Sequence, residues 1–325
     1  MKVIKVLLLA FIVFSTAYLV GSVTRNITDS MDNKETLIRN SKGNYWEPTG
    51  ANLQAAIEDL GEDGFVWVGS DISLDSPVLL EGKNHLHVDF QGHTVTLNDD
   101  VPFVIFRANA TNDMPTTFCG VKNARVILTE THTSSVILLT IPGTGGWPRR
   151  VRYNTIENIE IVNPGSSHDY TGIHLQNFGT SNFLYNTFNN IKMNTTGIGI
   201  HLQHDQYNSG WGNGNYFENI FIDGFETMIW YNVTRGTPKV AEAFNQNVFN
   251  NVQGIAKDYS VDGVKDICHN GNHFDHVYVL DWDETGPHTG NQWSLNSQAG
   301  YTYICANNIT DIVDNGVQTE IACGV

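Results

Sequence analysis

"YNTFNNIKMN", residues 185–194, sets four asparagines around one phenylalanine and one isoleucine, in a stretch that otherwise alternates like a β-strand. The frame N-x-(I/F)-x-(N/H)-(I/V) returns as "NTIENI" at 154, "NTFNNI" at 186, "NYFENI" at 215, "NVFNNV" at 247 and "NHFDHV" at 272. The starts are 32, 29, 32 and 25 residues apart. Self-similarity at such a period marks a solenoid or a propeller, whose units cannot close their own cores and must stack on neighbours.

The pattern inside each unit selects between them. Alternation follows the motif, as in "IEIVN", "IKMN" and "IFIDG", and then comes a second apolar stretch, "GIHLQ" at 172 and again at 199. These are short strands punctuated by Gly, Asn, Asp and Ser, with no helical periodicity between them. Propeller blades would need tight hairpin turns in every repeat, and few Asn-Gly or Asp-Gly pairs lie where those turns would fall. A coil of short parallel strands is therefore expected.

Stacking such units gives the asparagines a task. Asn154, Asn186, Asn215, Asn247 and Asn272 fall in one column, and Asn158, Asn190, Asn219, Asn251 and His276 in a second. Asn tolerates the left-handed backbone of a tight bend, and its amide can bond the same amide one rung away. Between the columns, Ile156, Phe188, Phe217, Phe249 and Phe274 should point inward as an apolar stack. Loss of an amide such as Asn190 is expected to leave buried backbone partners unpaired.

The 325 residues are 41% hydrophobic and 16% charged, enough to bury a large core, and carry a formal charge of -16. That charge repels phosphate backbones, so nucleic acid is excluded as an expected partner. Lys2 and Lys5 precede the apolar run "VLLLAFIVFSTAYLV", which suits a signal-peptide core. Cleavage would follow Ala17 or Ser22, with an uncleaved membrane anchor as the alternative. Either way the rest of the chain is expected to be secreted or displayed at the cell surface. In that oxidising setting Cys119, Cys268, Cys305 and Cys323 read as disulfide partners, with Cys305–Cys323 favoured because they flank one short segment; buried free thiols are the alternative. Sequons at Asn26, Asn109, Asn194, Asn232 and Asn308 permit glycosylation without showing it.

With these motifs in place, the chain resembles the right-handed parallel β-helix proteins of the pectin-lyase-like superfamily. "NLQAAIEDLG" reads as their short N-terminal capping helix, with Leu53, Ala56, Ile57 and Leu60 on one face, Asn52 as N-cap and Gly61 as the stop. "GFVWVGSDISLDSPVLLEGKNHLHVDFQGHTVTL" is similar to the family's entry strands, with "GSDIS" where that family carries a Pro-containing turn. The expected fold class is all-β: a single-stranded solenoid over 46–300, after a signal peptide or anchor (1–25) and a linker (26–45), and before a C-terminal cap segment (301–325). The resemblance is specific for fold and not for reaction. Clustered carboxylates around a calcium ion, or Asp pairs followed by Gly-His-Gly, would mark the family's lyases and hydrolases, and neither set is legible here. A calcium ion thus enters only by resemblance, and no cofactor is read from the residues.

Function must come from the outward columns. Aligning "GIHLQ", "GIHLQ" and "MIWYN" places Ile173, Ile200 and Ile229 inward, and His174, His201 and Trp230 outward on consecutive rungs. Gln176, Gln203 and Asn232 follow two positions on, and Lys265 would extend the first column. Such a strip reads as a sugar-binding face, an aromatic plane for the pyranose ring with amides for hydroxyls, with Trp230 dominating affinity. The plainer reading is that outward neighbours on stacked rungs repeat without function. Asp169, Glu226 two rungs later and Asp205 are the candidate acid/base carboxylates, since glycoside hydrolysis wants two carboxyls roughly 5 to 9.5 Å apart. Tyr207 and Trp211, in the loop "HDQYNSGWG", fit a ligand-contacting loop or a packed turn. His168, His174, His201 and His204 lack a fixed tetrahedral spacing, so no metal site is expected. Two functions follow: an exported enzyme acting on polysaccharide as lyase or glycosidase, or a non-catalytic glycan-binding, adhesin or viral attachment protein. The partner in both is a polysaccharide or surface glycan. A membrane would be met only through an uncleaved N-terminal segment, and the sequence leaves homotrimer formation open.

Overall fold

The structure, a computed structural model, describes residues 36–109, 111–141, 150–165, 169–177, 182–194, 196–204, 211–233, 244–256, 261–267, 272–280, 291–295, 303–306, 311–314 and 320–321. The N-terminal apolar segment, Cys268, Cys323, His168, Asp205, Tyr207, and the sequons at Asn26 and Asn308 lie outside the described residues.

The chain coils as a parallel β-solenoid. Among the described residues a 14-stranded sheet, a 9-stranded sheet and a 3-stranded sheet form its faces. Among the described residues pairing is parallel except where Ile38–Asn40 runs antiparallel to Tyr45–Trp46 and Gly64–Val68. Strand pairing runs on past residue 300, with Tyr303–Ala306 and Glu320–Ile321 joining the longest sheet and Asp311–Asp314 the 9-stranded one.

Register explains the repeat. Ile156 pairs with Phe188, Phe188 with Phe217, Phe217 with Phe249 and Phe249 with Phe274. All five are fully buried. The four phenylalanine rings stack at 4.8, 4.7 and 4.8 Å, within 5° of parallel. Burial of each such ring contributes roughly 1.5–3 kcal/mol, and each stacked pair about 0.5–1.5 more.

Helix α1 (Gly50–Leu60) covers the N-terminal end with Leu53, Ala56, Ile57 and Leu60, as their spacing predicts. Its cap is Thr49, not Asn52. The Thr49 hydroxyl accepts the Asn52 N–H at 3.2 Å, so Asn52 sits inside the first turn as the donor that the cap satisfies. Gly61 ends the helix at φ 77, its N–H bonded to the Glu58 carbonyl. The helix also closes a sheet edge, where unpaired strand groups would otherwise invite further pairing. Gln54 accepts the Leu79 N–H at 3.1 Å and donates to the Leu79 carbonyl at 3.2 Å, in place of a neighbouring strand.

The two asparagine columns divide the labour that the sequence assigns to both. Asn154, Asn186, Asn215, Asn247 and Asn272 are fully buried. Each of the first four donates its side-chain amide to the next Oδ1, at 3.0, 3.0, 2.9 and 3.3 Å. The same amides reach carbonyls of Thr116, Val151 and Phe183, satisfying buried backbone at the corner. Cys119 occupies the preceding rung, and its N–H donates to Asn154 Oδ1. The second column makes the bend: Asn123, Asn158, Asn190, Asn219, Asn251 and His276 all have φ between 53 and 58. Asn158 and Asn190 are exposed and bond other side chains, so Asn190 holds none of the buried backbone partners expected for it.

A third column escapes the motif. Phe118, Tyr153 and Tyr185 each precede a buried rung position, hold φ of 54, 56 and 57, and stay 42%, 39% and 46% exposed. Their rings stack face to face at 5.0 and 5.3 Å, so only ring edges meet solvent.

Cys119 corrects the disulfide expectation for one cysteine. It is buried and free, its thiol directed at the Thr117 carbonyl, and burial pushes its pKa up to about 12. Two internal bridges among four cysteines are thereby ruled out, while a Cys305–Cys323 bridge lies outside the described residues. Asn194 is likewise committed: its Oδ1 accepts the Asn163 N–H and its amide donates to the Asn163 carbonyl.

Candidate functional site

His174, His201 and Trp230 stand on consecutive rungs of the 9-stranded sheet, in the register expected, and Lys265 pairs with Trp230 on the next. Gln176, Gln203 and Asn232 form the companion column. The open face expected of the strip is absent. His174 is 7% and His201 6% exposed, and Trp230 is half-buried. The reason is stacking along the solenoid axis: His174 lies 4.4 Å from His201, and His201 4.8 Å from Trp230, with the planes within 10°. The rings cover one another's faces, so no pyranose can lie flat across all three. Burial, the largest cause in each, drives the pKa of His174 down to about 4 and that of His201 to about 3, which leaves both imidazoles neutral near pH 7.

The carboxylates Asp169 and Glu226 are both exposed. Gly197 N–H bonds the Tyr170 carbonyl and Glu226 N–H bonds the Gly197 carbonyl, which sets the two acids on one edge, two rungs apart. Two rung spacings make roughly 10 Å of backbone separation. Trp211 is 40% exposed but does not join the His/Trp strip. Its N–H bonds Asn182 Oδ1 and its carbonyl accepts the Phe183 N–H, so it belongs to the 3-stranded face.

The bend of the second asparagine column creates a site that sequence reasoning passed over. A groove of about 780 Å³ runs across the rungs of the longest sheet. One wall is the amide column Asn123, Asn158 and Asn190. Its bonds all point one way: Asn190 donates to Asn158 at 2.8 Å, Asn158 to Asn123 at 2.9 Å, and Asn123 to Asp89 at 2.9 Å. Each amide has two N–H groups and a two-lone-pair oxygen, so this chain of bonds leaves one donor and at least one acceptor site per amide for a ligand. Asn219 breaks the series by donating to Asn189 instead, which leaves Asn190 Oδ1 without that bond at the groove's end. The other wall alternates in charge, with Arg125, Glu160 and Lys192 exposed on successive rungs and Arg125 Nε 3.2 Å from Glu160. The available signal was charge alternation two positions after each bend asparagine.

No protein-family model matches the chain, and no curated protein matches it.

Proposed function

We propose that this chain is an exported protein of the pectin-lyase-like superfamily that binds a polysaccharide along the groove beside Asn123, Asn158 and Asn190. One observation carries the reading: the amide wall repeats a spare donor and acceptor at every rung, beside flanking charges. A polymer of hydroxylated units needs that kind of periodic, two-way hydrogen bonding, and an open groove accepts a chain that enters and leaves at both ends. The net charge of -16 agrees with a partner other than nucleic acid. The lysines before the N-terminal apolar run support export, with sequons such as Asn109 available to a glycosylating host.

Cleavage is the second reading, favoured by Asp169 and Glu226 standing exposed on one edge. A polysaccharide panel separates the two. Calorimetry reads binding, ultraviolet absorbance reads unsaturated lyase products, and a reducing-end assay reads hydrolysis. Binding without products supports a glycan-binding module. Products that vanish in Asp169→Asn and Glu226→Gln, with binding retained, support the enzyme, and absence of binding to every member of the panel removes the proposal.

A further inference from the structure

Three neighbouring strands of the 9-stranded sheet bring a serine from outside the repeat motifs together with the histidine of one "GIHLQ" copy and the glutamine of the next. Ser135 opens strand Ser135–Ile141, His174 lies in Thr171–Asn177, and Gln203 lies in Ile198–His204. Ser135 Oγ is 2.8 Å from His174 Nδ1, and His174 Nε2 is 2.8 Å from Gln203 Oε1. A neutral imidazole carries one N–H and one acceptor nitrogen. The Gln203 oxygen can only accept, so the ring proton sits on Nε2, and Nδ1 offers its lone pair to the Ser135 hydroxyl. His201, stacked at 4.4 Å, fixes the ring plane. His174 is 7% exposed while Ser135 is half-buried, which puts the base inside and the serine nearer the surface.

We infer that Ser135 is a nucleophile served by His174 as general base and by Gln203 as the residue that sets its tautomer, and that its substrates are carboxylic esters. Oγ attacks the ester carbonyl carbon and forms the Oγ–C bond, while the hydroxyl proton passes to Nδ1. The C–O bond of the ester breaks, and the departing alkoxide takes that proton from Nδ1 to leave as the alcohol. Water then attacks the acyl-serine and gives a proton to Nδ1, which returns it to Oγ as the carboxylic acid departs. This activity is independent of polysaccharide binding in the groove, because the relay lies on another sheet.

The test uses the full chain and a fluorophosphonate, whose P–F bond breaks as Oγ–P forms and fluoride leaves. Peptide mass spectrometry should find Ser135 labelled at least tenfold faster than the exposed Ser73, which lies outside the relay. Hydrolysis of 4-nitrophenyl acetate should fall at least tenfold in Ser135→Ala. The labelling rate should rise as pH passes through about 4, where His174 loses its proton, and level off above. In Gln203→Glu a carboxylate would face Nε2–H and stabilise the imidazolium, so that midpoint should move upward, a response that a merely structural glutamine would not give. Labelling of Ser135 no faster than Ser73, or an unmoved midpoint in a Gln203→Glu protein that keeps the parent circular dichroism, overturns the assignment.

Discussion

Asn215 Oδ1 accepts two hydrogen bonds from one residue: the side-chain amide of Asn186 at 3.0 Å and the backbone N–H of Asn186 at 3.1 Å. One buried oxygen thereby satisfies a corner of the rung before it. Asn186→Ala removes the amide that bonds Val151 and also strips Asn154 of its acceptor. A loss of about 1–3 kcal/mol follows from stranding those groups. Lys192→Ala, on the exposed side of the same coil, should change stability far less. Asn190→Gly keeps the left-handed backbone at φ 53 and should be milder than Asn190→Ala, which meets a strain of about 1 kcal/mol there. Urea melts of the four variants check the order, and equal midpoints for Asn186→Ala and Lys192→Ala would remove the buried ladder from the account.

Gly199 is required by close approach. A Cβ there would stand 2.4 Å from Ile222 Cδ1 and 2.7 Å from the Met228 carbonyl oxygen. The isoleucine can rotate away, but the carbonyl belongs to the adjacent rung. Gly199→Ala should therefore lower stability by about 1–3 kcal/mol through overpacking. An unchanged thermal midpoint would mean that the rungs spread freely at this point.

Acid should loosen the fold through its buried histidines. His174 and His201 titrate near 4 and 3 when folded, against 6.5 for the free side chain, so protons bind the unfolded chain more tightly. Their contribution is whole above about pH 6.5 and drains away as pH falls through 5 toward 3. Asp100 adds a later loss. Burial pulls its pKa up, but hydrogen bonds from Thr133 and Ser134 outweigh burial and hold it at about 2, against 3.8 unperturbed, so its share disappears between about pH 4 and 2. The urea midpoint should drop between pH 7 and pH 5, and less so in His201→Phe, which keeps a stacking ring without a proton to bind. Identical midpoints at the two pH values would contradict the buried, neutral state of these rings.

Ligand binding should follow the groove and not the stacked strip. Asn158→Gly and Asn190→Gly keep the bend and delete the amide wall, so polysaccharide affinity should weaken about tenfold or more, which is roughly 1.4 kcal/mol. Trp230→Ala uncovers His201 and should lower the melting temperature, because the lost stack contributes about 0.5–1.5 kcal/mol beyond its area. Affinity that survives both glycine variants but fails in Trp230→Ala at matched stability would return the site to the strip.

A parallel, in-register stack turns a repeat in the sequence into a column in space. For that reason the motif at 154, 186, 215, 247 and 272 determined the solenoid, the phenylalanine core and the buried asparagine ladder, and the second repeat, "GIHLQ", "GIHLQ" and "MIWYN", determined the rung order of His174, His201 and Trp230. Exposure is a different kind of property. Alternation says only that His174 points away from the core, whereas its 7% exposure comes from rings and strands contributed about thirty residues away. The same limit hid the roles of the two asparagine columns, because one letter serves both a buried donor and a left-handed bend, and only the backbone angles and neighbours tell them apart. Ser135 shares no motif with His174 and meets it diagonally across a rung, an approach set by side-chain direction in the folded sheet and invisible in sequence spacing.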